Sequence, residues 1–200
     1  MWQSKGLAVA RTKEFERDVA LDRAMRVFWR KGYDAASLQD LVEAMGIGRQ
    51  SLYDTFGDKH ALYLAALDRY GTIFGARMMA PLQEGGPVKP ALHQIFAGLI
   101  EESVSEGGWG CFAVNAAVER APCDPQTARR AEANFAGGEA TLREALQCAQ
   151  ESGEIGPGHD PRALARYFYN AIQGLRVTAK ATRDRETLED IVRVTLSVLA

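Results

Sequence analysis

Apolar residues recur along this chain at three- and four-residue steps, and no stretch alternates apolar with polar. The pattern therefore predicts helices throughout and no strand. Ala20, Ala24, Val27 and Phe28 form the first stripe, and Arg30-Lys31 followed by Gly32 is a helix-ending signal. Ser37 is placed to cap the next helix, with Asp40 three residues on to help its free amides, and Leu38, Leu41, Val42 and Met45 line one face up to Gly46. A second short helix, from about Arg49 to Phe56, turns Leu52 and Phe56 inward. Asp58 caps a longer helix predicted from Lys59 to about Ala80, which would span about 33 Å at 1.5 Å per residue. Further on, Gly85-Gly86-Pro87 and Pro90 precede a helix over about 91–105, and Gly107-Gly108-Trp109-Gly110 precedes a short one over 111–120. Asp124-Pro125 and Asp160-Pro161 are capped starts for two long helices, the first reaching about Ser152, the second carrying Leu164, Phe168, Ala171, Ile172 and Leu175 on one side. Leu188, Ile191, Val192, Thr195, Val198 and Leu199 stripe the last. About nine helices result, with no internal repeat.

Composition narrows the class without naming a function. Two hundred residues make one domain, or two small ones sharing a core. With 46% hydrophobic and 25% charged residues the chain reads as globular, and it is expected to bury about 70% of its unfolded surface without metal or disulfide staples. The longest uncharged run, Gly107 to Val118, is shorter than the roughly 18–20 residues of a membrane span, and Gly6 to Ala10 is too short for a secretory core. Three cysteines without ligand spacing point to a reduced, cytoplasmic setting, with no metal and no cofactor expected. The net charge of −2 divides into +1 over residues 1–60 and −3 over 61–200, so contact with nucleic acid would have to come from a local patch.

Residues 37–56 supply such a patch. Two short helices joined at Gly46 and preceded by a longer one form a helix-turn-helix, in which the first helix packs on the core and the second stays polar outward. Arg49, Gln50, Ser51, Asp54 and Thr55 are the outward set. Arg and Gln have bidentate base-reading geometry, and Ser, Thr, Tyr and Lys donate well to phosphates. Gly32-Tyr33, Ser37, the run Gly46-Ile47-Gly48-Arg49-Gln50-Ser51-Leu52-Tyr53, and Phe56-Gly57-Asp58-Lys59 together resemble the signature of the TetR family of bacterial transcriptional regulators, over residues 12–72. The resemblance implies an all-α fold, with a three-helix DNA-binding head at 1–58 and a six-helix ligand-binding and dimerisation bundle at 59–200. It also implies that Ser37, Tyr53 and Lys59 hold the DNA backbone while Arg49, Gln50, Ser51 and Thr55 face the groove. The competing readings are packing for Tyr53 and a solvated helix start for Lys59. Many members carry Thr-Ser or Thr-Thr where this chain has Ala36-Ser37, and Tyr-His where it has Asp54-Thr55. One phosphate-binding hydroxyl is therefore missing from the pattern, and Asp54 is expected to accept from a cytosine amine or to point aside. Arg11 and Lys13 read as a solvated N-terminal arm, with phosphate or minor-groove contact as the alternative.

The resemblance further implies a homodimer formed through the last two long helices, binding a double-stranded DNA operator and released by a small-molecule inducer. Candidate pocket residues are Tyr70, Phe74, Met78, Phe96, Ile100, Phe112, Phe135, Tyr167 and Phe168, each of which is equally an ordinary core residue. Glu101, Glu102, Asn115, Glu119 and Gln173 could add polar selectivity. Cys111, delivered by a Gly-rich turn to a helix start where the dipole favours a thiolate, resembles a sensing cysteine of a family subgroup, with Lys180 in a supporting position. The alternative is a small buried cysteine. An all-α thiol enzyme pairing Cys111 with His60, His93 or His159 is the remaining reading; it has no local signature and leaves the helix-turn-helix unexplained.

Overall fold

A computed structural model describes residues 5–105 and 109–199, with side chains from Arg17 onward. Its helices are α1 (Lys5–Lys31), α2 (Leu38–Met45), α3 (Arg49–Phe56), α4 (Lys59–Tyr70), α5 (Ala76–Gln83), α6 (Val88–Ser105), α7 (Phe112–Glu119), α8 (Pro125–Glu151), α9 (Pro161–Ala181) and α10 (Arg185–Leu196), followed by a single 3₁₀ turn. No strand occurs among the described residues. The caps at Ser37, Asp58, Asp124 and Asp160 are those the sequence announces, and Asp184 adds one more. Ser37 and Asp40 form a reciprocal capping box, Asp58 accepts from the Ala61 amide, and Asp124, Asp160 and Asp184 cap α8, α9 and α10. Gly32 and Gly46 end α1 and α2 at φ of 80° and 69°, a region closed to most side chains.

Two features differ from expectation. The segment predicted as one helix from Lys59 to Ala80 is broken by a π-helical turn, Gly71–Gly75, between α4 and α5. Gly71, at the start of this turn, faces the Asn134 side chain, and a Cβ there would collide with Oδ1. Counted as one interrupted rod, α4 and α5 restore a total of nine among the described residues. The other difference is at the start of the chain, where α1 begins at Lys5, so the backbone at Arg11 and Lys13 is helical. The side chains of those two residues lie outside the described set, as do Gly107 and Gly108 of the Gly-rich turn.

One apolar cluster joins α1, α2, α3 and α4 to Cys111 and to Phe112, Ala113 and Ala116 of α7, so the head and the regulatory half share it. A second cluster holds α5, α6, α8, α9 and α10 together around Phe96, Leu142, Phe168 and Ile172. Tyr167 and Val177 on α9, with Val194 and Val198 at the end of the chain, remain exposed.

Candidate DNA-reading face and the cavity behind it

α3 has eight residues, too few to be stable alone, and is held by Leu52 and Phe56, both buried. That anchoring turns Arg49, Gln50, Ser51, Tyr53 and Asp54 to solvent, with Thr55 half-buried. Tyr53 is 43% exposed, which fits a ring offered outward rather than packed. Asp54 is turned aside: its carboxylate accepts from Gln50 Nε2 at 2.8 Å, one helical turn away. Ser37 caps α2. Its hydroxyl accepts from the Asp40 amide and donates to the Asp40 carboxylate, which also pairs with Lys31 at 2.6 Å. Those contacts hold the Asp40 carboxyl down to about 2. Lys59, half-buried, rests its ammonium 4.5 Å from the centre of the Tyr33 ring.

Behind this face, contacts from α1, the α1–α2 turn and the start of α4 reach α7, α8 and the turn before α7. The Glu119 carboxylate accepts from the Asp34 amide at 3.1 Å, in a space open only because Gly32 lacks a Cβ. Arg120 lies over the Tyr33 ring at 4.4 Å, and burial raises the Tyr33 phenol above its ordinary value. Trp29 of α1 donates from Nε1 to the Gly110 carbonyl at 3.2 Å and meets Tyr70, Phe74 and Trp109 edge-on. His60 at the start of α4 shares a 2.6 Å hydrogen bond with Asp124, the cap of α8. Burial works against the Asp124 charge, but hydrogen bonds from Thr127, His60 and the Gln126 amide outweigh it, and the pKa falls well below 3.8.

A depressed carboxylate pKa gives stability that is present above the unfolded value and lost as pH falls through the folded one. Asp124→Ala is therefore expected to cost about 1–3 kcal/mol at pH 7, from the lost cap and the lost latch. Below about pH 3.8 the difference between mutant and wild type should shrink. Urea midpoints at pH 7 and pH 3 would check it, and a gap that did not narrow in acid would count against a charged latch.

The cavity, about 500 Å³, lies between the α4–α5 rod, α8 and α9. Of the candidate residues, Tyr70, Phe74 and Met78 line it, together with the π turn, Asn134, Tyr169, Gln173 and Arg176. Phe96, Phe112 and Phe168 do not; each is 1% exposed or less, packed in the two cores because its stripe faces neighbouring helices. Ile100 is buried and reaches only an outer groove beside α10, Phe135 packs against the head's core, and Tyr167 is on the surface. Among the polar candidates Gln173 lies on the wall, Glu101 pairs with Arg185 at 2.7 Å on the surface, and Asn115 donates to the Trp109 carbonyl. Arg176, Asn134 and Tyr169 were not anticipated. For Arg176 a signal existed, since it falls four residues after Ile172 and eight after Phe168 on an otherwise apolar stripe.

Cys111 also borders this cavity, but it is 5% exposed and its Sγ accepts from the Tyr70 hydroxyl at 3.6 Å. Burial and the neighbouring thiol push the Tyr70 phenol well above its ordinary value, so it stays protonated as the donor. Lys180 turns to Asn115 Oδ1, 3.4 Å away, instead of to the sulfur. This is the setting of a core cysteine and does not favour the sensing alternative. His60 is engaged by Asp124, His93 borders the outer groove and His159 sits in the loop before α9, and among the described residues none of the three is hydrogen-bonded to Cys111.

An outward-facing helix-turn-helix sharing its core with a cavity-bearing helical bundle defines a one-component transcriptional regulator. Comparison with known proteins gives the family. Residues 20–66 match the bacterial regulatory proteins of the tetR family, and residues 90–195 match the tetracyclin repressor-like C-terminal domain. The chain is 40% identical over 197 residues to the HTH-type transcriptional regulator YezE of Bacillus subtilis, covering 96% of this chain and all of that one. It is 38% identical over 188 residues to the HTH-type transcriptional repressor ComR of Escherichia coli, covering 93% and 90%. The TetR regulator CifR, solved in complex with a 26 bp operator as a cysteine mutant, superposes with a TM-score of 0.83 at 30% identity, over 92% of this chain and 97% of that one. The chain belongs to the TetR family and is a transcriptional regulator of that type.

Proposed function

We propose that the chain is a cytoplasmic, non-enzymatic repressor that binds a two-fold symmetric operator as a homodimer and leaves it when a small molecule enters the cavity. The observation that carries this reading is that α3, which presents Arg49, Gln50, Ser51 and Tyr53, shares one apolar cluster with α4, whose far end walls the cavity. Dimerisation would cover Tyr167, Val177, Val194 and Val198 in a four-helix interface and set two α3 helices about 34–36 Å apart, one turn of DNA. The π turn is the natural switch point, because it lies on the cavity wall and interrupts the rod that runs to the head. A ligand that favours another arrangement of that turn would shift DNA affinity by a coupling of about 1–3 kcal/mol.

Selection of random duplexes by the purified protein at about 0.15 M salt, followed by sequencing, tests the reading. A two-fold symmetric site with half-sites near 10 bp apart is expected, and salt-sensitive binding with no enriched sequence would overturn it. On the selected site Tyr53→Phe and Lys59→Ala should weaken binding to all sequences, Lys59→Ala lowering the salt slope by about one. Arg49→Ala and Gln50→Ala should instead relax preference at one or two positions, at about 1–3 kcal/mol each. Uniform behaviour of all four variants would refute this division between phosphate and base contacts.

A further inference from the structure

We propose that the cavity receives a small organic carboxylate whose anionic group is held by the guanidinium of Arg176. This rests on the ligand-responsive reading above and adds the chemical class of the ligand. Arg176 is 6% exposed, in the C-terminal third of α9, and reaches the cavity wall from an otherwise apolar stripe. A guanidinium carries five N–H donors and stays charged. Nη2 donates to the Gly110 carbonyl at 2.9 Å, and Nη1 faces the sulfur of Met78 at 3.6 Å, a weak acceptor. Among the described residues its carboxylate neighbour is Glu102, 3.9 Å away and itself 43% exposed, a poor match for a buried cation. The other charged residues on the cavity wall, Asp68 and Arg130, pair with each other at 3.1 Å and cancel. Among the lining residues that leaves the charge of Arg176, offset only by the exposed Glu102 behind it, and a monoanion in the cavity would be held by charge-assisted, fork-shaped hydrogen bonds.

The remaining groups refine the class. Gln173 Oε1 is buried and has no hydrogen-bond partner among the described residues, so it awaits a donor such as a ligand hydroxyl. Phe74, Met78 and Met79 offer apolar wall to the body of the molecule. About 500 Å³ lies toward the small end of the roughly 300–1,000 Å³ of typical ligand pockets. A compact aryl or short aliphatic acid, best with a hydroxyl, satisfies all three. Its carboxylate competes with the Gly110 carbonyl for Arg176, and that same carbonyl accepts from Trp29 of α1, so occupancy is felt in the head.

The test uses the full-length protein with its selected duplex. Benzoate, phenylacetate, 4-hydroxyphenylacetate and hexanoate are compared with their primary amides, reading thermal midpoint and release of DNA. At least one acid is expected to bind at least about tenfold more tightly than its amide, and Arg176→Met should weaken that acid about 10- to 100-fold while leaving the amide unchanged. Because the acid–amide comparison is made on wild type, it stands even if Arg176→Met folds poorly. Gln173→Leu, a milder change, should lower the advantage of the hydroxylated acid over phenylacetate. Acids and amides acting alike, or acids unaffected in a folded Arg176→Met protein, would overturn the proposal. A library of neutral and cationic compounds run alongside separates the two levels. Release by one of those with silence from the acids removes the carboxylate alone, and silence from every compound removes ligand responsiveness with it.

Discussion

Leu52→Ala is expected to abolish specific DNA binding and to cost the fold about 2–5 kcal/mol. The side chain is fully buried at the centre of α3, and with Phe56 it is what fixes that helix against the core. Helices shorter than about 12–15 residues are marginal in water, so eight residues without their central anchor have little reason to stay formed. Arg49 precedes Leu52 and Tyr53 follows it directly, so loosening this turn displaces the whole reading face even where the rest of the chain remains folded. Leu52→Met, nearly volume-conserving, should cost less than about 1.5 kcal/mol and keep binding. Urea unfolding and duplex-binding titrations of both variants check the prediction. Specific binding retained in Leu52→Ala would mean that α3 is ordered by DNA and not by its core contact.

The second large effect is expected at Trp29. Trp29→Ala should cost about 3–5 kcal/mol, because the ring is 6% exposed and meets Tyr70, Phe74 and Trp109 at centroid distances of 5.0, 4.9 and 5.4 Å. Trp29→Phe is the more informative change. It keeps most of the aromatic contact and removes the Nε1 donor to the Gly110 carbonyl, leaving Arg176 as that oxygen's other partner. The expected loss of stability is about 0.5–1.5 kcal/mol, with DNA affinity close to wild type and a weaker response to whatever compound releases the wild-type protein. Thermal unfolding together with a release titration separates the two consequences. Full responsiveness in Trp29→Phe would take the Gly110 carbonyl out of the route between cavity and head.

Local chemistry made much of this molecule legible from its sequence. Helix starts at Ser37, Asp58, Asp124 and Asp160, and the stops at Gly32 and Gly46, depend on a side chain or a missing Cβ within three residues, which a sequence displays directly. The outward set on α3 was equally open to reading, because helical periodicity puts Leu52 and Phe56 on one side and Arg49, Gln50 and Tyr53 on the other. The cavity was less so. Tyr70 and Phe96 look alike in sequence, yet one borders the cavity and the other is sealed in the core, since the difference lies in which helix crosses opposite them. Gln173 likewise looks like any polar helix residue, and only the structure places it on the cavity wall.

By itself, then, the sequence determined the all-helical class, the helix-turn-helix and the face it presents, since each follows from residue spacing within a turn or two. The tertiary structure alone decided the π turn at Gly71, the burial of Arg176 and the sharing of the Gly110 carbonyl between α1 and α9. Those features join residues 66 to 81 positions apart, or set Gly71 against Asn134, and no local pattern records which distant side chain will arrive.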